Sequence, residues 1–322
     1  MIDDGGPWGQ GWDGTRRWVQ GHLAPGERIA RVSALKGGWT SRMRRLDVEC
    51  AGTGPYALVL RSFVKPFYRR HAPALLAREA GVLRLLEDST VPAARLVGVD
   101  GEGAACEHPS LVMTHLPGGV RLAEDGEAPA RAALLAAQLA AVHALEVGER
   151  ERPRTWQAWT AADRVVVPEG TGRARLWARA VEVIDAAAPA WQGCFLHRDF
   201  HPGNVLFTGS GGQLAISGVV DWVETSWGPA DLDVAHCSTA LALLHGPEAG
   251  LAFADRYTAA GGRALATGRD HLYWRLLDAL AFAPDAQKVA EPWRELGRVD
   301  LTPPVLAKRL EDYVQALFDR YA

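Results

Sequence analysis

Residues 195–222 read FLHRDFHPGNVLFTGSGGQLAISGVVDW, and the rest of the chain is interpreted outward from them. His197, Asp199 and Asn204 sit on a loop between two short apolar runs, and Asp221 ends a third run. Residues 194–196 and 205–207 read as strands. The glycine-rich residues 208–213 turn the chain, and residues 214–220 return it to Asp221. Pro202 and Gly203 fix the loop between Asp199 and Asn204. Asp, Asn, Gly and Pro also build ordinary turns, so a lone H-x-D would carry little weight. The full set matches what phosphoryl transfer requires. One carboxylate accepts the proton of an attacking hydroxyl, while an asparagine oxygen and a second carboxylate hold magnesium against the phosphates. Magnesium is a hard cation that prefers such oxygens.

HRDFHPGNVLF followed by VVDW resembles the aminoglycoside phosphotransferase family, whose fold is shared with choline kinases and protein kinases. Trp222-Val223 stands where a protein kinase has Phe-Gly, and no Ala-Pro-Glu segment follows; both point to a small-molecule kinase. The resemblance implies an α+β, two-lobed protein-kinase-like fold, with an antiparallel-sheet N-lobe and a mainly helical C-lobe. It implies ATP or GTP as donor, Mg2+ as cofactor and a small-molecule hydroxyl as acceptor. Asp199 is then the catalytic carboxylate, His197 orients the loop, and Asn204 and Asp221 are the metal ligands. Arg198, also placed in the catalytic set, replaces a small residue usual in the aminoglycoside branch.

Upstream, residues 28–35, 43–50 and 56–63 read as three strands. Lys36, Gly37 and Gly38 in the first turn resemble the family's counterpart of a glycine-rich phosphate loop, although a Gly-Gly hairpin alone is a weak signal. Alternation along the third strand sets Leu58 and Leu60 on one face and Val59 and Arg61 on the other. Arg61 falls where kinase-like folds usually carry a phosphate-binding lysine. A helix is expected over residues 73–86, with Glu79 inside its apolar stripe, and a carboxylate facing a core needs a partner. The resemblance supplies Arg61. Residues 95–99 and 111–113 read as further strands. Met113 leads into residues 114–119, expected to meet the adenine, so the domains are drawn as 1–115 and 116–322.

Residues 131–145, 172–188, 237–244, 249–259, 271–282 and 302–321 read as helices. Asp233, in a G-P-x-x-x-D-x-A pattern that again resembles the family, is expected to brace the catalytic loop. No apolar run reaches the roughly 20 residues of a membrane span, and residues 1–14 lack the features of a signal peptide, so a cytoplasmic protein without membrane or nucleic-acid partners is expected. Residues 221–300 hold 12 Asp/Glu against 7 Lys/Arg, which suits a cationic acceptor, with Asp255, Asp270, Asp278 and Asp285 as amine-binding candidates. Three functions remain open: an antibiotic kinase of the aminoglycoside type, a metabolic kinase of an amino alcohol, sugar or natural product, and a nucleotide-binding protein without catalysis.

Overall fold

The computed structural model describes residues 8, 11–35, 40–50 and 54–322. Lys36, Gly37 and Gly38 therefore lie outside the described residues. The chain divides into two compact units, residues 1–117 with 221–223, and residues 118–220 with 224–322.

The first unit is built on one antiparallel sheet. After helix α1 (Asp13–Gln20) come strands β1 (Arg28–Ala34), β2 (Arg42–Glu49) and β3 (Tyr56–Ser62), then helix α2 (Pro66–Leu86) and strands β4 (Leu96–Asp100) and β5 (Ser110–Thr114). The sheet order is β1-β2-β3-β5-β4, so β3 is central. Leu58 and Leu60 on β3 join Val19, Val32, Leu46, Val48 and Val112 in one apolar core. Fully burying each such side chain contributes about 1.5–3 kcal/mol. Alternation then turns Arg61 to the opposite face, where its guanidinium meets Glu79 of α2.

Helix α2 starts at Pro66, seven residues before the expected start, and runs through Pro73. Both prolines are plausible helix starters, but Pro66 takes the first-turn position. Pro73 cannot donate to the Arg69 carbonyl. Residues 69–71 are exposed, so water can satisfy that carbonyl and the helix continues.

The second unit comprises α3 (Ala128–His143), α4 (Ala174–Asp185), strands β6 (Cys194–Leu196), β7 (Val205–Thr208), β8 (Ala215–Val219) and β9 (Ser226–Gly228), and helices α5 (Asp231–His245), α6 (Pro247–Ala259), α7 (Gly268–Leu280), α8 (Gln287–Glu295) and α9 (Pro303–Tyr321). Strands β7 and β8 form the expected hairpin. Gly209 allows its turn: it has φ +66°, and an added Cβ would lie 2.0 Å from the Gln213 carbonyl oxygen. Strand β6 pairs with β9, which sequence reading did not anticipate. Helix α5 is buried from Asp231 to Leu244, so it has no solvent stripe. It starts six residues before the expected 237 because Asp231, Asp233 and His236 are themselves interior residues. No helix among the described residues is long and apolar enough to cross a membrane.

Candidate active site

In the second unit, β6 delivers the chain into the loop carrying His197, Arg198 and Asp199. Arg198 has φ 72°, a conformation that is strained for a bulky side chain. Asp233 holds that bend. Its Oδ2 accepts the His197 amide and its Oδ1 the Arg198 amide, each at 2.8 Å. His143 Nε2 lies 3.2 Å from Asp233 Oδ2, and His143 Nδ1 lies 2.7 Å from the Tyr257 hydroxyl. Burial raises the Asp233 carboxyl, but the His143 hydrogen bond and the charges of His143, His197 and Arg198 outweigh it, leaving the pKa lowered. A carboxylate with a lowered folded pKa contributes stability above the ordinary carboxylate range and loses it as pH falls through the folded value. Asp233→Asn should therefore cost about 1–3 kcal/mol at pH 7, because one loop amide faces a donor instead of an acceptor. Urea denaturation at pH 7 and in acid checks this; the deficit should narrow in acid, and an unchanged midpoint at pH 7 would refute it.

His197 is fully buried under the loop. Its Nε2 lies 3.0 Å from the Val220 carbonyl oxygen, and its Nδ1 accepts the Asp199 amide at 3.2 Å. The Arg198 guanidinium is turned to other work: it stacks 4.3 Å from the Trp159 ring centroid and donates to the Gln157 carbonyl at 3.0 Å.

Asn204 Nδ2 donates to Asp199 Oδ2 at 3.0 Å and to the Asp199 carbonyl at 2.9 Å. That use of its nitrogen leaves the side-chain oxygen as the end suited to a cation. Asp199 Oδ1 lies 3.1 Å from His236 Nε2 and 3.7 Å from His201 Nε2. His236 Nδ1 in turn faces Asp278 Oδ1 at 3.0 Å. Burial opposes ionisation of Asp199, but the His236 hydrogen bond and the neighbouring histidine charges hold its carboxyl well below the usual range.

Ligand atoms of Asp199, His201 and His236 lie within 4.8 Å of one another. Both His236 nitrogens face carboxylate oxygens, and His201 Nδ1 accepts the Gly203 amide at 3.0 Å, which sets its proton on Nε2. In these roles neither ring presents a lone pair to a metal, so the trio is a hydrogen-bond cluster. His236 and His201 were missed in the sequence. Asp278 was read only among acids that could bind an amine.

In the first unit, Arg61 is buried and holds three partners. Nη1 donates to Glu79 Oε1 at 2.7 Å, Nη2 to Asp221 Oδ1 at 2.8 Å, and Nε to Ser41 Oγ at 3.2 Å. Burial opposes its charge, but Asp221 and Glu79 raise its pKa above that of an ordinary guanidinium. Asp221 has φ 68°, a second strained non-glycine position. Arg78 Nη1 donates to the Val223 carbonyl, which ties residues 221–223 to α2. The expected Arg61–Glu79 pair is thus present, and Asp221 joins it. Met113 lies on β5, opposite Val59 of β3 and Leu96 of β4.

The family model described as the phosphotransferase enzyme family matches residues 31–274. A sequence comparison with curated proteins gave no match. Among solved structures, an aminoglycoside-3′-phosphotransferase of type VIII is 21% identical with a TM-score of 0.55, covering 82% of this chain and 97% of its own. The macrolide 2′-phosphotransferase MphH of Brachybacterium faecium is 15% identical with a TM-score of 0.56, covering 92% and 98%. Amicoumacin kinase hAmiN, solved with AMP-PNP, Ca2+ and Ami, is 13% identical with a TM-score of 0.56, covering 93% of each chain. At these identities the likeness establishes the fold, which is the α+β, protein-kinase-like one expected from the sequence. With most of its length matched by the family model, the chain belongs to the phosphotransferase enzyme family.

Proposed function

We propose that this phosphotransferase moves the γ-phosphoryl group of ATP or GTP to a hydroxyl of a small molecule, and that the acceptor is a hydroxylated antibiotic. The observation that carries the reading is the Asp199–Asn204 arrangement. One Asp199 oxygen is tied to His236, and the other is shared with the Asn204 amide nitrogen. Asp199 is the carboxylate that orients the acceptor hydroxyl and accepts its proton. Magnesium, held by oxygens of Asn204 and Asp221, would neutralise phosphate charge when bound. Arg61 keeps Asp221 and Glu79 in register. Residues 1–115 serve the donor, and residues 116–322 carry catalysis and acceptor binding.

The acceptor class is drawn from the charges around Asp199. His201 and His236 face it, and burial lowers the Lys288 pKa while Asp278 and Asp199 oppose that. Asp255 pairs with Arg320, Asp278 with His236, and Asp285 caps the Gln287 amide. Asp270 lies in the first turn of α7, and among the described residues its side chain has no ion-pair partner. These facts favour an acceptor less cationic than an aminoglycoside.

Magnesium-dependent ADP release should be measured across aminoglycosides, macrolides, amicoumacin-type antibiotics and small amino alcohols. Stimulation by a macrolide or amicoumacin-type compound, exceeding that by aminoglycosides, is expected. Stimulation confined to amino alcohols would replace the antibiotic reading with a metabolic one. Absence of ATP and GTP binding would sink the whole proposal.

A further inference from the structure

We infer that His236, clamped between Asp278 and Asp199, is a positioning residue that locks the Asp199 carboxylate in one orientation, leaving Oδ2 for the acceptor hydroxyl. This rests on the reading of Asp199 as the proton-accepting carboxylate.

The clamp is built from three elements: the loop after β6, α5 and α7. His236 Nε2 meets Asp199 Oδ1 at 3.1 Å, and Nδ1 meets Asp278 Oδ1 at 3.0 Å. A neutral imidazole has one N–H, so it can donate to only one of two carboxylates; an imidazolium donates to both. The ring is also fixed in its plane. Phe282 stacks on it at 5.8 Å and 26°, and the Trp159 ring meets it at 4.8 Å and 81°. His236 and Asp278 are 4% and 5% exposed, so water competes little for either group. Rotation of the Asp199 carboxylate would break the His236 bond at Oδ1 and the Asn204 bond at Oδ2 together. The titratable and charged groups facing the ring are Asp199 and His201 from the loop and Asp278 from α7, with Arg198 and Lys288 farther out. Burial would strip the ring of its proton, but the charges of Asp278 and Asp199 outweigh it and lift the pKa to about 9. The clamp is therefore closed at neutral pH and opens as pH rises through that value.

Two measurements test this. In ¹⁵N-histidine NMR, His236 should be doubly protonated at pH 7.5, and Asp278→Asn should lower its titration midpoint by about 1–3 units. In magnesium-dependent ADP release from ATP with water as acceptor, His236→Gln should lower kcat by about 10²-fold at unchanged KM for ATP, the scale of a misplaced catalytic group. It should also abolish the alkaline fall in kcat. Glutamine keeps one donor toward Asp199 without the charge, so a folded variant is expected; a circular dichroism melt checks it. A neutral His236 at pH 7.5, or a midpoint unmoved in Asp278→Asn, overturns the clamp. So does a His236→Gln enzyme with wild-type kcat and alkaline limb when Asp199→Ala is inactive. Turnover retained in Asp199→Ala overturns the underlying assignment and the clamp with it.

Discussion

Asp199→Ala should lower phosphoryl-transfer turnover by about 10²–10⁴-fold, the range of a positioned general base. Nucleotide affinity should hardly change, because Asn204 keeps its hydrogen bond to the backbone carbonyl of residue 199, which alanine retains. The fold should survive, since His236 keeps Asp278 as its counter-ion. Asp199→Asn is the sharper variant: it preserves shape but presents a neutral amide where the proton must go. Steady-state ADP release paired with calorimetric binding of a non-hydrolysable nucleotide separates the two effects. The pH profile adds a second check. The Asp199 carboxyl is held well below the usual range, so it should remain ionised, and produce no acid limb, between pH 5 and 7. Near-wild-type turnover in the alanine variant would remove Asp199 from the mechanism.

The candidate catalytic loop was legible because its parts are close in sequence: Asp199 and Asn204 are five residues apart, and Asp221 follows a single hairpin. The Arg61–Glu79 pair could also be read. Strand alternation gave one side chain a face, helical spacing placed the other inside an apolar stripe, and the resemblance joined them. His236 and Asp278 gave no such signal. They lie 37 and 79 residues beyond Asp199, and α5 is buried all round, so its polar residues interrupt no visible stripe. Strand β9 is only three residues long. Helix α8 follows Ala286 in the left-handed region and carries Pro292, both of which disguise a helix.

Part of the acid surplus of residues 221–300 is taken up within the fold. Asp231 pairs with His271, Asp233 with His143 and Asp278 with His236, all buried, and Asp255 pairs with Arg320. A count of charges cannot distinguish an exposed carboxylate from one already spent inside the fold. The surplus is therefore a poor guide to the surface an acceptor meets.

Arg61→Met should destabilise the protein by about 3–5 kcal/mol, the cost of stranding a charge by removing its buried partner. Methionine fills much of the volume, so the loss falls on electrostatics. Glu79 is 1% exposed, and among the described residues its Oε2 has no hydrogen-bond partner, so Arg61 is what justifies its charge. Burial raises the Glu79 carboxyl, and the Arg61 guanidinium opposes that rise. Without Arg61, Glu79 should take up a proton at higher pH, and the stability deficit should shrink as the solution is acidified. Arg61→Met combined with Glu79→Leu should recover much of the stability, since the stranded carboxylate is gone. It should not recover turnover, because Asp221 still lacks the guanidinium that holds it. Arg61→Lys separates the roles further. A lysine retains the charge but is a point donor, unable to reproduce the planar fork that reaches Glu79, Asp221 and Ser41 together. It should restore more stability than activity. Urea denaturation at neutral and acid pH, alongside ADP release, resolves these outcomes. An Arg61→Met protein as stable as wild type would show that the network contributes little to the fold, while a double variant with full turnover would show that Asp221 needs no support from Arg61.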